Sequence, residues 1–341
     1  MNLRVGILGA TGLVGRAMLA LLEERGFPVE TPRLLASAGA PGRHLPFRGG
    51  ELPVEPVGAD AFAGLDLVLG AVRNPLAERW VPVARAAGAT VVDNSSAYRY
   101  HDDVPLVIPE VNGARLAGRP GLVANPNCSS MAIVLALAPL ARAAGLRRVI
   151  TSTYQSVSGA GAAALAELEH GVRAGLEGDP PPRPDGRPPF AFNVIPWIDR
   201  FEANGYTREE MKVTWETRKI LELPDLPVSC TAVRVPVRVG HAAAVNALFA
   251  RPLGPDEARA LWAAFPGLRV VDDPANGRVP TPLAAAGHDE VLVGRARRDL
   301  TDERGLEFFV CSDNVRKGAA LNAVQIAEAL WGVTPRPPGA R

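Results

Sequence analysis

Lysine is nearly missing from this chain of 341 residues: of its 37 basic residues only Lys212, Lys219 and Lys317 are lysines. Where only positive charge is needed, the sequence writes arginine. The three lysines mark either chance surface positions or places where a compact ammonium serves better than a planar fork. Cysteine is scarce too. Cys128, Cys230 and Cys311 lie far apart in no disulfide or metal-ligand spacing, which predicts no metal and a reducing, cytoplasmic setting. A net charge of +1 argues against the basic field of a nucleic-acid binder and against an acidic solvating tail. Long apolar runs are absent as well: the longest uncharged one, Met131 to Ala141, is too short to span a bilayer. The opening "MNLRVGILGATGLVG" reads as a strand and not as a charged-then-apolar leader. No segment repeats.

With 47% apolar and 21% charged residues, the composition is that of a soluble globular protein. The length predicts two domains. "LRVGILG" (3–9) reads as a buried strand running into a helix on which Ala17, Met18, Leu21 and Leu22 recur at helical spacing. Short apolar runs at 65–72, 90–94, 106–111 and 121–125 alternate with helical segments such as 75–87, the pattern of a mostly parallel sheet covered on both faces. Beyond residue 125 the runs lengthen and helices thin out: 147–155, 228–239, 242–250, 289–299 and 306–313 predict a largely antiparallel sheet in an α+β domain. Residues 176–190 are a proline-rich excursion, and 317–332 predict a terminal helix.

Two local patterns carry chemistry. Gly9, Gly12 and Gly15 in "GATGLVG" follow a strand and open a helix, where glycines admit a pyrophosphate and the helix start supplies free N–H groups. The second strand candidate, "RLLASAGAPGR", lacks the acidic residue that grips the ribose of NAD; Ser37 and Arg43 suit a 2′-phosphate, so NADP is expected. In "ANPNCSS", Cys128 precedes the apolar run of a buried helix, whose N-terminus favours thiolate. Local evidence leaves a nucleophile and an inert packed thiol both open.

Together "GATGLVG", "VVDNSSAYR", "VIPEVN", "ANPNCSS", "TYQSVSGAG", "FNVIPWID", "GYTREEMKVTWETRKI", "TAVRVPVRVGH" and "SDNVRKGAALNAVQIAE" resemble the aspartate-β-semialdehyde dehydrogenases over nearly the whole chain. That resemblance implies an α/β protein: a Rossmann-like NADP-binding domain (1–126 with 314–334, the C-terminal helix returning to it) and an α+β catalytic and dimerisation domain (127–313). It implies NADPH-dependent conversion of L-aspartyl-4-phosphate to aspartate semialdehyde and phosphate, toward lysine, threonine and methionine. The expected partners are these small molecules and the chain itself, as a homodimer or dimer of dimers, with neither nucleic acid nor membrane.

The resemblance assigns residues as well. Cys128 attacks the acyl phosphate, since a thioester divides one hard displacement into two steps. His241 handles protons, with a pKa suited to both directions. Gln155 holds the acyl group, Arg234 clamps the α-carboxylate, and Arg99 and Lys212 bind phosphate. Glu209 faces the substrate ammonium, and Asn127, beside the nucleophile, is counted with the substrate- and phosphate-binding residues. Gly9, Thr11, Gly12, Leu13, Val14, Ser37, Ala38, Arg43, Ser158, Gly159 and Asn314 touch the cofactor. His44, His101, His170 and His288 match nothing and are read as surface residues; Cys230 and Cys311 are read as packed thiols. Departures from the family pattern fall at Gly39 and Ala40, at "GAVRN" (70–74) and at Ala243. A related N-acetylglutamyl-phosphate reductase carries His-Pro-Gly-Cys where this chain has Asn-Pro-Asn-Cys, and an inactive paralogue typically loses the cysteine or histidine present here.

Overall fold

Short runs of apolar residues suit strands covered on both faces, and such runs form the centre of the first sheet. The computed structural model describes residues 2–37, 39 and 42–336. Its first unit reaches Pro126 and resumes at Ala319; the second runs Asn127–Gly318. Residues 314–318, read from the sequence as part of the first domain, fall in the second unit.

In the first unit, β1 (Val5–Leu8), β2 (Arg33–Ala36), β3 (His44–Phe47), β4 (Gly50–Pro56), β5 (Leu67–Gly70), β6 (Thr90–Asp93) and β7 (Leu122–Ala124) lie in the order β3-β4-β2-β1-β5-β6-β7. All neighbours run parallel except the β3–β4 hairpin, which the sequence reading did not foresee. β1 leads through the glycine loop into α1 (Leu13–Glu24); α2 (Asn74–Ala86) and α3 (Pro109–Asn112) follow β5 and β6. Residues 109–111, read as the end of a short apolar run at 106–111, belong to α3, with Pro109 at the first helical position.

The second unit opens with α4 (Cys128–Ala144), whose residues Met131 to Leu140 are all buried. Its six strands are β8 (Leu146–Gln155), β9 (Val228–Arg234), β10 (His241–Phe249), β11 (Leu268–Val270), β12 (Val291–Arg298) and β13 (Gly305–Ser312), ordered β11-β12-β13-β10-β8-β9. The three central pairings are antiparallel and the two edge pairings parallel. Pro236 stops β9 at Arg234, short of the 239 that apolar content suggested. The unit's other helices are α5 (Ala162–Gly175), α6 (Arg208–Leu221), α7 (Pro255–Ala263) and α8 (Pro282–Ala285); α9 (Leu321–Trp331) returns to the first unit, where Leu321, Val324, Ile326 and Leu330 join its core.

Helix α6 brings three functional side chains into the second unit, and its start is fixed by a reciprocal cap. Thr207 Oγ1 accepts the Glu210 N–H at 3.3 Å while the Glu210 carboxylate accepts the Thr207 N–H at 2.6 Å. The second Glu210 oxygen accepts the Ala232 N–H of β9 at 2.9 Å, tying helix to sheet. Removing the hydroxyl in Thr207→Ala is therefore expected to cost about 1 kcal/mol and to lower the melting temperature, whereas Thr207→Ser keeps the cap and most of the stability. Thermal unfolding of the two variants side by side checks this; an alanine variant as stable as the parent would show the cap to be idle.

Candidate active site

A helix start in the first unit meets the needs of an anion. Gly9 adopts φ +89°, and a Cβ there would lie 2.5 Å from the Ala71 carbonyl oxygen. A Cβ on Gly15 would come within 2.3 Å of the Gly9 oxygen. Gly12 is the N-cap residue of α1, and the first turn that follows carries no carboxylate to repel phosphate. Thr11, Leu13 and Val14 complete this turn; the Thr11 carbonyl accepts from Arg16 Nε at 3.1 Å. The loop therefore fits a dinucleotide pyrophosphate, with backbone N–H groups and no side-chain Cβ in the way. Ser37 and Arg43 are both exposed beyond β2. Ala38, a predicted cofactor contact, and Ala40 lie outside the described residues.

At the carboxyl ends of β6 and β7, Arg99 is buried and spends Nε on the Asn125 carbonyl (2.8 Å) and Nη2 on that of Asn94 (2.7 Å). Asn125 is pinned in turn by Asn322 Nδ2 at 2.7 Å and donates to Asn94 Oδ1 at 2.7 Å. Asp93 beneath them is wholly buried, and burial raises its pKa against hydrogen bonds from Ser95.

In the second unit Cys128 is the first residue of α4, and it remains partly accessible. Its N-cap is Asn127, whose Oδ1 accepts the Ser129 N–H at 2.8 Å. The Asn127 main-chain N–H donates to Glu216 Oε2 at 2.6 Å, so a buried carboxylate on α6 holds the turn that presents the sulfur. Gly318 leaves room beside it; a Cβ there would sit 3.0 Å from that of Cys128.

Glu209 gathers the rest. Its carboxylate accepts from Gln155 Nε2 (2.9 Å), Lys212 Nζ (3.0 Å), Ser129 Oγ (3.3 Å) and Asn127 Nδ2 (3.3 Å). Burial would raise its pKa, but the Lys212 ammonium and the Gln155 hydrogen bond outweigh that and hold it near 2. The resemblance gave Glu209 a substrate ammonium; the structure gives its oxygens four protein donors. Lys212 also pairs with Asp199 at 2.7 Å, and the two carboxylates raise its pKa against the effect of burial.

Arg234, at the end of β9, donates from Nη1 to the Ser156 carbonyl at 2.6 Å. It lines a cavity of about 130 Å³ together with Arg183, Arg187, Phe190, Trp197 and Asp199. Burial lowers the Arg234 pKa; Glu209 and the sulfur of Cys128 support its charge, and Arg183 opposes it.

His241 opens β10 and is only 2% exposed. Burial, and then the Arg234 charge, push its pKa down to about 3, so the ordinary imidazole value expected from the sequence does not hold here. Gly159 keeps the space in front of it clear: a Cβ there would lie 3.0 Å from His241 Nε2 and 3.1 Å from Arg234 Nη1. Ser158 and Asn314, predicted as cofactor contacts, bond each other at 2.9 Å within the hydrogen-bond network behind His241.

Cys128, Gln155, Glu209, Lys212, Arg234 and His241 thus belong to one connected set in the second unit. Sequence reasoning missed Asp199, Glu216, Arg183 and Arg187. The two arginines lie in the proline-rich excursion, where their contribution to a cavity wall left no periodic signal. Cys230 and Cys311 are packed in β9 and β13, and burial raises both pKa values, that of Cys311 to about 12. The four remaining histidines are exposed. Among the described residues no cluster of His, Cys, Asp and Glu could hold a metal ion, and no helix is long and apolar enough to cross a membrane.

Comparison with known proteins agrees over the whole length. Residues 4–119 match the semialdehyde dehydrogenase NAD binding domain, and residues 137–317 the semialdehyde dehydrogenase dimerisation domain. The aspartate-semialdehyde dehydrogenase of Legionella pneumophila is 47% identical over 332 residues, covering 96% of each chain. That of Aquifex aeolicus is 45% identical, covering 97% of this chain and 98% of its own. The crystal structure of aspartate semialdehyde dehydrogenase II from Vibrio cholerae, solved also in complex with ASA, superposes with a TM-score of 0.93 at 42% identity, over 97% of this chain and 99% of that one. A Candida albicans aspartate semialdehyde dehydrogenase, solved with NADP, gives 0.76 at 26% identity over 97% and 99%. With matches to the semialdehyde dehydrogenase NAD binding and dimerisation domains, and with relatives 47% and 45% identical over nearly the whole chain, the chain belongs to the aspartate-semialdehyde dehydrogenase family.

Proposed function

We propose that the chain reduces L-aspartyl-4-phosphate to L-aspartate 4-semialdehyde and inorganic phosphate, reversibly, through a thioester on Cys128. The observation that carries this reading is Cys128 at the start of α4, in a network shared by Gln155, Glu209 and Lys212 and electrostatically coupled to Arg234. The helix N-terminus and the Arg234 cation favour the thiolate. Arg234 takes the substrate α-carboxylate in the adjoining cavity, where a planar guanidinium can bind both oxygens. Gln155 keeps one amide hydrogen beyond its bond to Glu209 and can hold the acyl group; Asn127 fixes the turn. Lys212 retains one N–H beyond its two carboxylates for phosphate, and Arg99 is proposed for the same anion.

Bound reduced NADP supplies the hydride. Gly9, Gly12 and the first turn of α1 would hold its pyrophosphate, and Ser37 with Arg43 its 2′-phosphate. Free thiols at all three cysteines suit a reducing, cytoplasmic setting. The outward face of β8 carries Ile150 and Tyr154, 45% and 37% exposed, and fits burial against a second copy of the chain.

Cys128→Ala should lower turnover on the order of 10⁴-fold or more while NADPH binding persists. Steady-state rates and cofactor titration check this; an active variant would rule out covalent catalysis. Removing the exposed guanidinium in Arg43→Ala should raise the KM for NADPH about tenfold and leave that for NADH unchanged, since about 1.4 kcal/mol is a fair share for one charge-assisted contact. Equal effects on the two nucleotides would contradict the 2′-phosphate assignment.

A further inference from the structure

Arg234 does not line its cavity alone. Arg183 and Arg187 of the proline-rich excursion share the wall, and among the described residues Asp199 is the one carboxylate there. Asp199 is already engaged, by Lys212 Nζ at 2.7 Å and by the Arg200 N–H at 2.9 Å. Arg234 is buried, and the Arg183 side chain is only 18% exposed. Guanidinium groups drawn together out of water repel each other, and Arg183 does act against the charge on Arg234. Such a pair calls for an anion.

Both groups have donors to give one. Arg234 spends Nη1 on the Ser156 carbonyl and keeps Nε and Nη2. Arg183 gives Nε to Glu167 at 3.3 Å and Nη2 to Asp185 at 3.2 Å, and keeps Nη1. Neither Glu167 nor Asp185 belongs to the cavity wall, so they anchor the guanidinium without filling the space before it.

We propose that Arg183 is a specificity residue that shares the substrate α-carboxylate with Arg234, so that the excursion as well as β9 selects an amino-acid substrate. This rests on the reading above and adds the second cation that holds the carboxylate. A carboxylate has two oxygens with about four acceptor sites and can take hydrogen bonds from two guanidinium groups at once.

The excursion keeps Arg183 in place. Pro182 and Pro184 flank it and restrict the chain on either side. The Arg183 N–H donates to the Arg187 carbonyl at 3.0 Å, and the Arg183 carbonyl accepts the Gly186 N–H at 2.9 Å. Gly186 supplies the positive φ of +76° that this turn needs. The guanidinium carbon lies 4.2 Å from the centre of the Phe190 ring, which supports it as a platform. Phe190 is packed in turn with Val157, Leu168 and Ile195 in one buried apolar cluster. Ile195 then meets Arg234 itself: its N–H donates to the Arg234 carbonyl at 2.9 Å, and its carbonyl accepts the Arg234 N–H at 2.8 Å. Packing and paired main-chain bonds thus connect one arginine to the other. A carboxylate entering the cavity finds its donors already ordered, which lowers the entropic cost of binding.

The test compares two aldehydes in the reverse reaction, aspartate semialdehyde and 3-aminopropanal, the same molecule without its carboxylate. Arg183→Gln should raise the KM for aspartate semialdehyde about tenfold or more, with kcat within about twofold of the parent. It should leave kcat/KM for 3-aminopropanal unchanged. Glu167→Gln removes an outer partner and keeps the cation, so both substrates should behave as with the parent. An unchanged KM in Arg183→Gln, or equal losses on the two aldehydes, would overturn the proposal. Should the glutamine variant not fold, Arg183→Lys is read in its place: it keeps the charge and loses the fork, and a rise of about threefold confined to aspartate semialdehyde is expected, while no change would overturn the assignment. A second readout needs no turnover. Titration of L-2-aminobutyrate and of propylamine, followed by NMR, should show the parent preferring the amino acid and Arg183→Gln losing about tenfold of that preference. A parent without the preference would contradict the clamp. A chain that shows it yet is inactive on aspartyl phosphate would count against the proposed reaction and not against Arg183.

Discussion

One buried carboxylate organises this active site. Glu209 is almost fully enclosed, and an ion so placed is tolerable only when donors surround it. The four it has come from the turn before α4, from α4 itself, from β8 and from its own helix. Satisfying that charge therefore brings the turn before Cys128, the amide of Gln155 and the ammonium of Lys212 into one place. The same requirement explains why Lys212 is a lysine in an arginine-rich chain. A point charge with three donors can serve Glu209 and Asp199 together and still reach a ligand, where a planar fork would commit to one.

A second constraint is the start of α4. A helix buried along its length has nowhere to expose its first N–H groups except a cleft, and Cys128 stands at that end. Glu216 and Asn127 hold the turn, one by the main-chain N–H and the other by its side-chain oxygen. The core thus determines where the sulfur points, Gly318 leaves room beside it, and Gly159 leaves room beside His241 and Arg234.

Much of this was legible in the chain. The glycine loop stood out because a strand, a tight turn and a helix start need those residues in that order. The turn before Cys128 and the apolar run after it placed it at a helix start, but left a nucleophile and a packed thiol both open until the family resemblance was added. Strand limits blurred where a single proline decided them, at Pro109 and Pro236, and the β3–β4 hairpin escaped notice because its short strands carry little apolar periodicity. Within the site, Glu216, Asp199, Arg183 and Arg187 left no signal: Glu216 holds a turn 89 residues away, Asp199 pairs with Lys212 from an irregular segment, the two arginines reach the cavity wall from a proline-rich loop, and nothing in local composition distinguishes them from surface charges. The behaviour of His241 was hidden as well, since its low pKa comes from burial and then from the Arg234 charge, neither of which its sequence neighbours reveal.

The account stands on Cys128 receiving the acyl group. Mixing the protein with aspartyl phosphate in the absence of reductant and weighing it intact tests that most directly. The account predicts an added aspartyl mass that maps to the peptide holding residue 128 and is released by hydroxylamine; phosphate release without any such adduct would contradict it.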